Sequence, residues 1–532
     1  MRQICRLLLA ILLLPLSLSA QTYDVIIRNA RIVDGTGAPW FRGEIAVRGD
    51  EIVAVSRRIE GTATRVIDAR DTVVAPGFID LHTHARRGIF ETPSADNYIL
   101  QGVTTLFEGH DGGSPVPLGE FFDRIAAAKT SPNMAAFIGQ GSVRQRVVGS
   151  ADRKATPEEI ERMKGIVRQA MREGAFGLST GLFYVPGTFT PTEEIVELAR
   201  VAGEMGGIHT SHMRNEAAQV VDSVRETIRI GEEGGLPTMI THHKVAGVRN
   251  WGLSAETLKL VDEARARGVD VGSDQYPYTA SQTSLTALLP RWALEGGRNE
   301  MLRRFEDPAA RTRIREAIIE NIRFDRGGGE PKNVQIAWAE AEPALAGKTL
   351  ADVVRMRGKD VTVESAADVV IALLEAGQVR GIYHTMSEDD VVRILRHPAT
   401  MVASDGEVPV FGKNSPHPRS YGTFARVLGR YVREQKVLTL EEAVRKMTSM
   451  PAGRVGIHDR GLVRPGMKAD LAVFDPKIVA DRATFEKPHQ YAVGVSHVLV
   501  NGVLVVDEGR VTAARPGIVL RGAAAVPAAV RR

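Results

Sequence analysis

Two histidines separated by one threonine, His82 and His84, stand in the segment GFIDLHTHA at residues 77–85. The segment follows an apolar run, so we expect a β-strand here. Side chains alternate between the two faces of a strand, which would place both imidazoles on one face, about 6.6 Å apart along the strand. Both could then reach one metal ion. The same spacing also arises by chance or as paired surface histidines, so the remaining ligands must come from elsewhere in the chain.

More histidines and an acid stand at the ends of three other short apolar runs. GGIHTSH contains His209 and His212, LPTMITHH ends with His242 and His243, and MVASDG carries Asp405. The C-terminal strand ends of a parallel barrel form the face that carries its active site. Only one face of each strand points into a barrel, so we expect one histidine of each neighbouring pair to bind and the other to pack or form hydrogen bonds. The four strand ends together predict a metal centre.

The elements that must position these side chains are short strands alternating with helices. The helical patterns include 156–173, 193–204, 215–234 and 255–267. Together with eight strand candidates they predict a parallel (β/α)8 barrel over residues 76–454, with a doubly wound open sheet as the alternative. Residues from about 285 to 400 interrupt the spacing and predict an insertion before the last strand. The strand candidates are PGFIDLHTH, VTTLFEG, NMAAFIGQG, AFGLSTG, GGIHTSH, LPTMITHH, GVDVGSD and MVASDG.

Both ends of the chain carry short alternating strands punctuated by Gly and Asp turns. The first group lies in residues 21–75 and the second in residues 455–515, where the dipeptide NG joins two apolar runs as a hairpin. The matched patterns predict one small β-sandwich domain built from both ends. Two separate β-modules would give the same pattern.

Composition and the N-terminus restrict the setting in which the protein works. The net charge is +4, from 68 basic and 64 acidic residues without a basic block, which gives no support to a nucleic-acid partner. Residues 1–20 combine two arginines, an apolar run and small residues, and predict a signal peptide cleaved near Ala20, with export to the periplasm or the medium. An uncleaved single-helix anchor is the alternative, and no later segment is long enough for a membrane span. Cys5, the one cysteine of the 532 residues, lies inside this peptide, which excludes disulfides and thiolate ligands in the mature chain.

Several of these motifs together resemble the D-aminoacylase (N-acyl-D-amino-acid deacylase) family of the amidohydrolase superfamily. The resemblance covers about residues 23–515 and rests on GFIDLHTH, GVTT, GLSTGLFYVPGTF, HTSHMRNE, THHKVAG, QYPYTA and ASDG. It implies a barrel paired with a split β-domain, one or two Zn2+ ions and hydrolysis of an N-acyl amino acid to a carboxylate and a free D-amino acid. It selects His212 over His209 and His242 over His243. The metal-site residues that it implies are His82, His84, His212, His242 and Asp405.

The chain departs from the family at the turn after the second strand. The family has a metal-bridging cysteine in a GNCG-like turn, and this chain has EGHDGG with Asp111 at that position. A carboxylate can bind zinc or bridge two ions, so Asp111 is the expected substitute. Glu108 at the strand end is the rival, and a turn shaped by non-binding acids is the third possibility.

The expected chemistry is amide hydrolysis by an activated water molecule. A metal held mainly by neutral imidazoles acidifies bound water and stabilises the oxyanion, and Asp405 would act as general base and then as general acid. Alternatively, Asp405 would only cap a helix. Lys244, two residues after His242, would share its strand face and help to bind the substrate carboxylate. The resemblance adds Tyr184, Tyr276 and Tyr278 to that pocket, and Arg291 and Arg214 are further candidates.

Two other functions remain open at this point. A cyclic-amide hydrolase of the dihydroorotase or hydantoinase kind would use a carboxylated lysine on the fourth strand, and GAFGLSTG has none. A non-catalytic scaffold with the same fold would typically lose the metal residues that this chain retains. The sequence therefore favours a zinc-dependent hydrolase that acts on linear N-acyl amino acids.

Overall fold

The structure, a computed structural model, describes residues 22–526. The predicted signal peptide, residues 1–20, lies outside the described residues. The strands are β1 (Thr22–Ile32), β2 (Phe41–Arg48), β3 (Glu51–Ser56), β4 (Thr62–Asp68), β5 (Val73–Pro76), β6 (Phe78–Asp80), β7 (Val103–Glu108), β8 (Asn133–Ala136), β9 (Ile138–Gly139), β10 (Gly177–Gly181), β11 (Ile208–His212), β12 (Thr238–Ile240), β13 (Val271–Gln275), β14 (Ser281–Ser284), β15 (Val334–Ala339), β16 (Val379–Tyr383), β17 (Thr400–Val402), β18 (Leu471–Phe474), β19 (Val495–Val500), β20 (Val503–Asp507) and β21 (Arg510–Val511).

The helices lie mainly between the strands of the central part. The α-helices are α1 (Asp96–Ile99), α2 (Leu118–Ala128), α3 (Gln140–Val147), α4 (Pro157–Glu173), α5 (Thr192–Glu204), α6 (Val220–Gly234), α7 (Ser254–Ala266), α8 (Arg298–Glu306), α9 (Pro308–Phe324), α10 (Leu350–Met356), α11 (Val363–Ala376), α12 (Glu388–Arg396), α13 (Arg419–Arg426), α14 (Leu440–Met447) and α15 (Ser449–Arg454). Helix α13 continues as the π-helical segment Val427–Glu434. Short 3-10 turns are Gly187–Phe189, Val248–Asn250, Leu285–Leu288, Arg291–Leu294, Pro331–Asn333 and Pro343–Leu345.

Strands from the two ends of the chain form one sheet. Its order is β21-β20-β19-β18-β5-β1-β2-β3, and β4 also pairs with β1. The antiparallel pairing of β5 with β18 joins the N-terminal group of strands to the C-terminal group. Strands β19 and β20 form the hairpin expected at NG, where Asn501 and Gly502 both have positive φ, at 48° and 78°. Two positive φ values in a two-residue loop suit the right-handed twist of the flanking strands.

The eight strands that the sequence predicts for the barrel follow one another around a ring. The structure divides one of them into two segments, β8 and β9. The parallel sheet β17-β13-β12-β11-β10-β9 contains six of the resulting nine segments, and β6-β7-β8 form a second sheet. Strands β8 and β9 are two parts of one strand, because only Phe137 separates them and its N–H donates to the carbonyl of Glu108 on β7. A parallel bridge between Thr83, beyond β6, and Gly406, beyond β17, closes the ring. A single buried cluster fills it, with members from six strands: Ile79, Phe107, Ala135, Ile208, Met239 and Met401.

The predicted helices match the structure except at the start of one of them. Helix α6 begins at Val220, not near residue 215. The side-chain oxygen of Asn215 accepts hydrogen bonds from the N–H groups of Ala217 and Gln219 and so fixes a turn there. Asparagine side chains stabilise such turns in competition with helix.

The inserted segment forms a separate layer beside the barrel mouth. Its three antiparallel strands are ordered β14-β16-β15, and β15 and β16 share a separate apolar core with α8 to α11. The segment begins with β14 at Ser281, a few residues before the expected start at 285. Helix α12 packs against α7 and β17 of the barrel, so the insertion also ends earlier than the expected residue 400. Among residues 22–526 the structure has no helix that is both long and apolar enough to cross a membrane.

Candidate metal centre

The candidate ligands lie at the C-terminal ends of five barrel strands. His82 and His84 follow β6, Asp111 follows β7, His212 is the last residue of β11, and His242 follows β12. Asp405 follows β17. Four of these side chains are more than nine-tenths buried, and the other two, His84 and Asp111, are 11% and 10% exposed. The mouth of the barrel therefore brings together residues that are more than three hundred positions apart in the chain.

The bridge that closes the barrel also fixes the backbone of three candidate ligands. The N–H of Asp405 donates to the carbonyl of His82 at 2.8 Å, and the N–H of His84 donates to the carbonyl of Gly406 at 2.7 Å. Asp405 Oδ1 then lies 3.6 Å from His82 Nε2 and 3.1 Å from His84 Nε2. Backbone pairing between the first and last strands thus sets the distance between the histidines and the acid.

Asp111 lies between two groups of candidate ligands. Its Oδ2 is 3.3 Å from His84 Nε2, and its Oδ1 is 3.3 Å from His242 Nε2 and 3.7 Å from His212 Nδ1. One group that could hold a metal ion is His82, His84, Asp111 and Asp405, and the other is Asp111, His212 and His242, with ligand atoms within 4.8 Å of one another in each. Its Oδ1 is also 3.5 Å from His82 Nε2, so the carboxylate contacts both groups and could contribute a ligand to each.

Unpartnered polar atoms in this cluster fit a metal ion. His82 Nε2 and Asp111 Oδ1 are buried and have no hydrogen-bond partner among residues 22–526. Buried polar atoms are normally hydrogen-bonded, so unpartnered buried atoms such as these are available to bind a metal ion. Asp111, His242 and Asp405 also have positive φ values of 57°, 38° and 51°. Left-handed backbone at non-glycine residues is strained and concentrates at functional sites.

The charges of the cluster favour ionised carboxylates. Burial alone would raise the pKa of Asp111, but the imidazoles of His82, His242 and His212 lower it well below its usual value. Burial likewise opposes ionisation of Asp405, and Arg419 and His82 outweigh it, so the pKa of Asp405 is also lowered. These carboxylates are therefore available as anionic ligands at neutral pH. Protons compete with metal ions for the imidazoles, so metal binding should weaken in acid.

The other histidine of each pair lies outside both groups of candidate ligands. His209 Nδ1 is 2.8 Å from the hydroxyl of Thr238, and His243 Nε2 is 3.0 Å from the hydroxyl of Thr257. Glu108, the rival of Asp111, also lies outside both groups. Its Oε2 accepts a hydrogen bond from the N–H of Arg86 at 2.9 Å. The structure therefore brings Asp111, and not Glu108, to the metal centre.

A cavity of about 1160 Å3 opens above the cluster and reaches the inserted segment. Tyr184 and Tyr276 line it, as expected. The hydroxyl of Tyr184 is 3.0 Å from that of Thr283 on β14, and its ring centroid is 4.6 Å from that of His212. Lys244 also lines the cavity, and its Nζ is hydrogen-bonded to Glu216 at 2.6 Å.

Tyr278 corrects one expectation about this pocket. Its ring packs against His417 and Phe485, with centroids 5.3 and 6.5 Å apart, and it is not part of the cavity wall. The two tyrosines flank Pro277, and only Tyr276 reaches the cavity. Arg291 lies at the rim, more than half exposed. Arg214 also lines the cavity, but Glu226 and two backbone carbonyls occupy its guanidinium.

Three residues that lie at the site were not predicted from the sequence. Arg419 NH1 is 2.7 Å from Asp405 Oδ2, and Glu216 lies beside His242. Asp274, near the end of β13, accepts a hydrogen bond from the N–H of His242 at 2.6 Å and holds its strained backbone. The strand-end rule applied to GVDVGSD could have found Asp274. Glu216 follows His212 by four residues in HTSHMRNE, whereas Arg419 gives no local signal.

Comparison with known proteins decides the family. Residues 65–506 match the Amidohydrolase family. The chain belongs to this family. It is 37% identical to a D-aminoacylase of Alcaligenes xylosoxydans xylosoxydans over 95% of this chain and 99% of the relative. It is 36% identical to an N-acyl-D-glutamate deacylase of the same organism over 95% of this chain and 98% of the relative.

A solved structure gives the same result for the fold. The crystal structure of an N-acyl-D-glutamate deacylase from Bordetella bronchiseptica, in complex with zinc and a phosphonate mimic of the tetrahedral intermediate, superposes with a TM-score of 0.81 at 36% identity. The match covers 94% of this chain and all of that one. The amidohydrolase barrel expected from the motifs is thereby confirmed, and so is the resemblance to D-aminoacylases.

Proposed function

We propose that this member of the amidohydrolase family is a zinc-dependent enzyme that hydrolyses N-acyl-D-amino acids to a carboxylate and a free D-amino acid. The observation that carries the proposal is the cluster of four histidines and two aspartates at the base of a large cavity. Two relatives that cover nearly the whole chain are named for hydrolysis of N-acyl-D-amino acids, which supports the substrate class.

The residues present fit one or two zinc ions. Imidazole nitrogens and carboxylate oxygens are common zinc ligands, and Asp111 replaces the cysteine that the family uses. His82, His84 and Asp405 would hold one ion, His212 and His242 the other, and Asp111 would contribute to both. When bound, zinc supplies Lewis acidity toward a water molecule and toward the amide carbonyl.

Asp405 is the proposed general base and acid. Arg419 holds its Oδ2 at 2.7 Å, which leaves Oδ1 directed at His84 and His82 in the cluster. An ionised carboxylate there accepts the proton of the attacking water and passes it to the departing amine. The amine must therefore leave on the side of the cavity where Asp405 lies.

The cavity is charged to receive an anion. Ten of the side chains that line it are arginine or lysine and four are aspartate or glutamate. Arg87 and Arg380 share one carboxylate oxygen of Glu407, at 2.7 and 2.6 Å, so the three groups together keep one positive charge. A substrate with a free carboxylate beside the scissile amide matches this excess, because close opposite charges stabilise one another in a buried site.

The cyclic-amide alternative lacks its expected group. Strand β10 reads GLSTG and offers no lysine for carboxylation. The proposed hydrolase acts on linear amides, with Asp111 as the anion between the two groups of ligands.

The test is a hydrolysis screen of matched N-acetyl-D- and N-acetyl-L-amino acids, with dihydrouracil and hydantoin as cyclic substrates. Zinc-loaded protein should release D-amino acids, and chelator-stripped protein should not until zinc is restored. The Asp405→Asn variant, purified in parallel, controls for contaminating host hydrolases. Exclusive turnover of L-substrates or of cyclic amides would overturn the proposal.

We also propose that the protein is exported and works in the periplasm or the medium. The support is the pattern of arginines, apolar run and small residues in residues 1–20. Full-length protein with a C-terminal tag should appear in the periplasm or the medium without residues 1–20. Deletion of these residues should leave the protein in the cytoplasm; equal distribution of both forms would refute export.

A further inference from the structure

Glu216 is a buried carboxylate in contact with one of the proposed metal ligands. Only 1% of it is exposed. Its Oε1 lies 3.2 Å from Nδ1 of His242 and 2.6 Å from Nζ of Lys244. Its Oε2 accepts a hydrogen bond from Arg326 at 3.1 Å. One carboxylate thus connects a candidate ligand, a lysine of the barrel and an arginine of the inserted segment.

The two nitrogens of His242 face different groups. Nε2 is 3.3 Å from Asp111 Oδ1 and 2.7 Å from His212 Nδ1, so Nε2 is the nitrogen directed into the metal centre. A neutral imidazole that binds a metal through Nε2 carries its proton on Nδ1, where it needs an acceptor. Nδ1 faces Glu216 Oε1 and, at 2.7 Å, the ammonium group of Lys244. Lysine has no acceptor, so of these two groups Glu216 is the one that can receive that proton.

Lys244 favours the opposite tautomer. If its ammonium group donates to Nδ1, the proton of the neutral ring moves to Nε2, and Nε2 can no longer bind a metal. Glu216 prevents this in two ways, because it accepts the Nδ1 proton and also attracts the ammonium group. We infer that Glu216 is a positioning residue that keeps His242 in its metal-binding tautomer against competition from Lys244. This inference rests on the metal centre of the proposed function.

Arg326 fixes the orientation of this carboxylate. Its guanidinium group stands over the ring of Phe183, 4.6 Å from the centroid, and is 5% exposed. Charge-assisted hydrogen bonds of this kind hold a carboxylate in one rotamer. The second candidate ligand nearby, His212, has its Nε2 3.8 Å from Glu216 Oε2, which is too long for a hydrogen bond. The effect therefore falls on His242.

The experiment measures zinc binding in three variants, Glu216→Gln, Lys244→Met and the double variant that carries both changes. Zinc affinity is obtained by competition with a chromophoric chelator, and the ligand field from the visible spectrum of cobalt-loaded protein. Glu216→Gln should bind zinc about 10–100-fold more weakly, because a neutral amide no longer attracts Lys244. Lys244→Met should bind like the wild type. The double variant should recover to within a few-fold, since the competing donor is gone.

A matched control is Glu194→Gln, which removes the charge of another buried carboxylate that pairs with Arg144 outside the cavity. It should leave zinc affinity unchanged. Unaltered zinc binding in Glu216→Gln would overturn the inference, and so would weak binding that Lys244→Met does not rescue. If Glu216→Gln does not fold, the double variant provides the test, because it buries one fewer unpaired cation. Near-normal zinc affinity in the double variant would support the inference, and loss of zinc would overturn it. These measurements need no substrate. If the variants bind zinc as inferred but the protein does not hydrolyse N-acyl-D-amino acids, the proposed function is refuted and the inference is retained.

Discussion

The barrel mouth and the inserted segment contribute to the cavity in different ways. The mouth contributes short side chains at strand ends, and their backbone is held by pairing with neighbouring strands, as in the bonds between Asp405 and His82 and between His84 and Gly406. The inserted segment, with its separate apolar core, reaches the cavity with longer side chains such as Arg298 and Arg380. The first set of side chains is positioned by backbone hydrogen bonds, and the second by contacts of the side chains themselves.

This difference indicates a division of labour. Metal binding and proton transfer tolerate little displacement of the atoms involved, because metal–ligand and hydrogen-bond distances can vary by only a few tenths of an ångström. Recognition of a carboxylate by long cationic side chains tolerates more. Substitutions in the mouth should therefore affect turnover or metal binding, whereas substitution of Arg380, which does not contact the metal-binding groups, should mainly change KM.

The largest effect is expected for Asp405→Asn. The amide cannot accept the proton of water, so kcat should fall at least ~100-fold and by up to ~10,000-fold. The amide keeps the size of the side chain, so the protein should still fold, but the thermal midpoint should fall because the buried Arg419 loses its counter-charge. Steady-state kinetics and a melting curve on one preparation test both statements. Near-normal kcat would remove Asp405 from proton transfer.

Loss of a candidate ligand should come next. His242→Ala and His82→Ala should lose zinc by more than the ~10–100-fold that loss of an outer hydrogen-bond partner costs. Zinc content after dialysis, measured by elemental analysis, is the readout. His243→Ala, which removes the neighbouring imidazole that faces Thr257, is the matched control and should retain zinc. Equal zinc loss in all three variants would point to general unfolding.

Arg380→Met tests the inserted segment. Arg380 shares Glu407 with Arg87, and its removal abolishes the excess positive charge of that group. A hydrogen bond to a charged group contributes about 1.5–3 kcal/mol, so KM should rise about 10–100-fold. The value of kcat should stay within a few-fold of wild type. A fall in kcat with unchanged KM would contradict the division between mouth and insertion.

The smallest effect is expected for Tyr184→Phe, which breaks the contact between a barrel loop and β14. The hydroxyl of Tyr184 is 3.0 Å from that of Thr283, and one such bond contributes about 0.5–1.5 kcal/mol. Activity should fall about 2–10-fold. Thr283→Val removes the same bond from the other side and should match it, so a large loss in only one variant would show a role outside this contact.

Much of the fold was predictable because it depends on local patterns. Eight apolar runs with helices between them were sufficient to predict the barrel, and NG predicted the hairpin at Asn501. The limits of the inserted segment were less accurate. Helix α12 has an ordinary amphipathic pattern, and only its packing against α7 shows that it belongs to the barrel.

The candidate site was predictable where residue type and strand end coincide, as for His82 and Asp405. Residues of the site that are supplied by an element distant in the sequence were not predictable. Arg419 enters from the start of α13, and Arg326 from a glycine-rich turn of the insertion. The location of Tyr278 behind the cavity wall also depends on packing.

The residues that could bind a metal follow from residue type and hydrophobic period, because these place imidazoles and carboxylates at strand ends. How these residues are used depends on the assembled barrel. Closure of the barrel set the distance between His82 and Asp405, and the turn after β7 selected Asp111 over Glu108. Distances among side chains and the proton position on His242 depend on groups from separate elements, and a local sequence pattern does not show which elements will lie together.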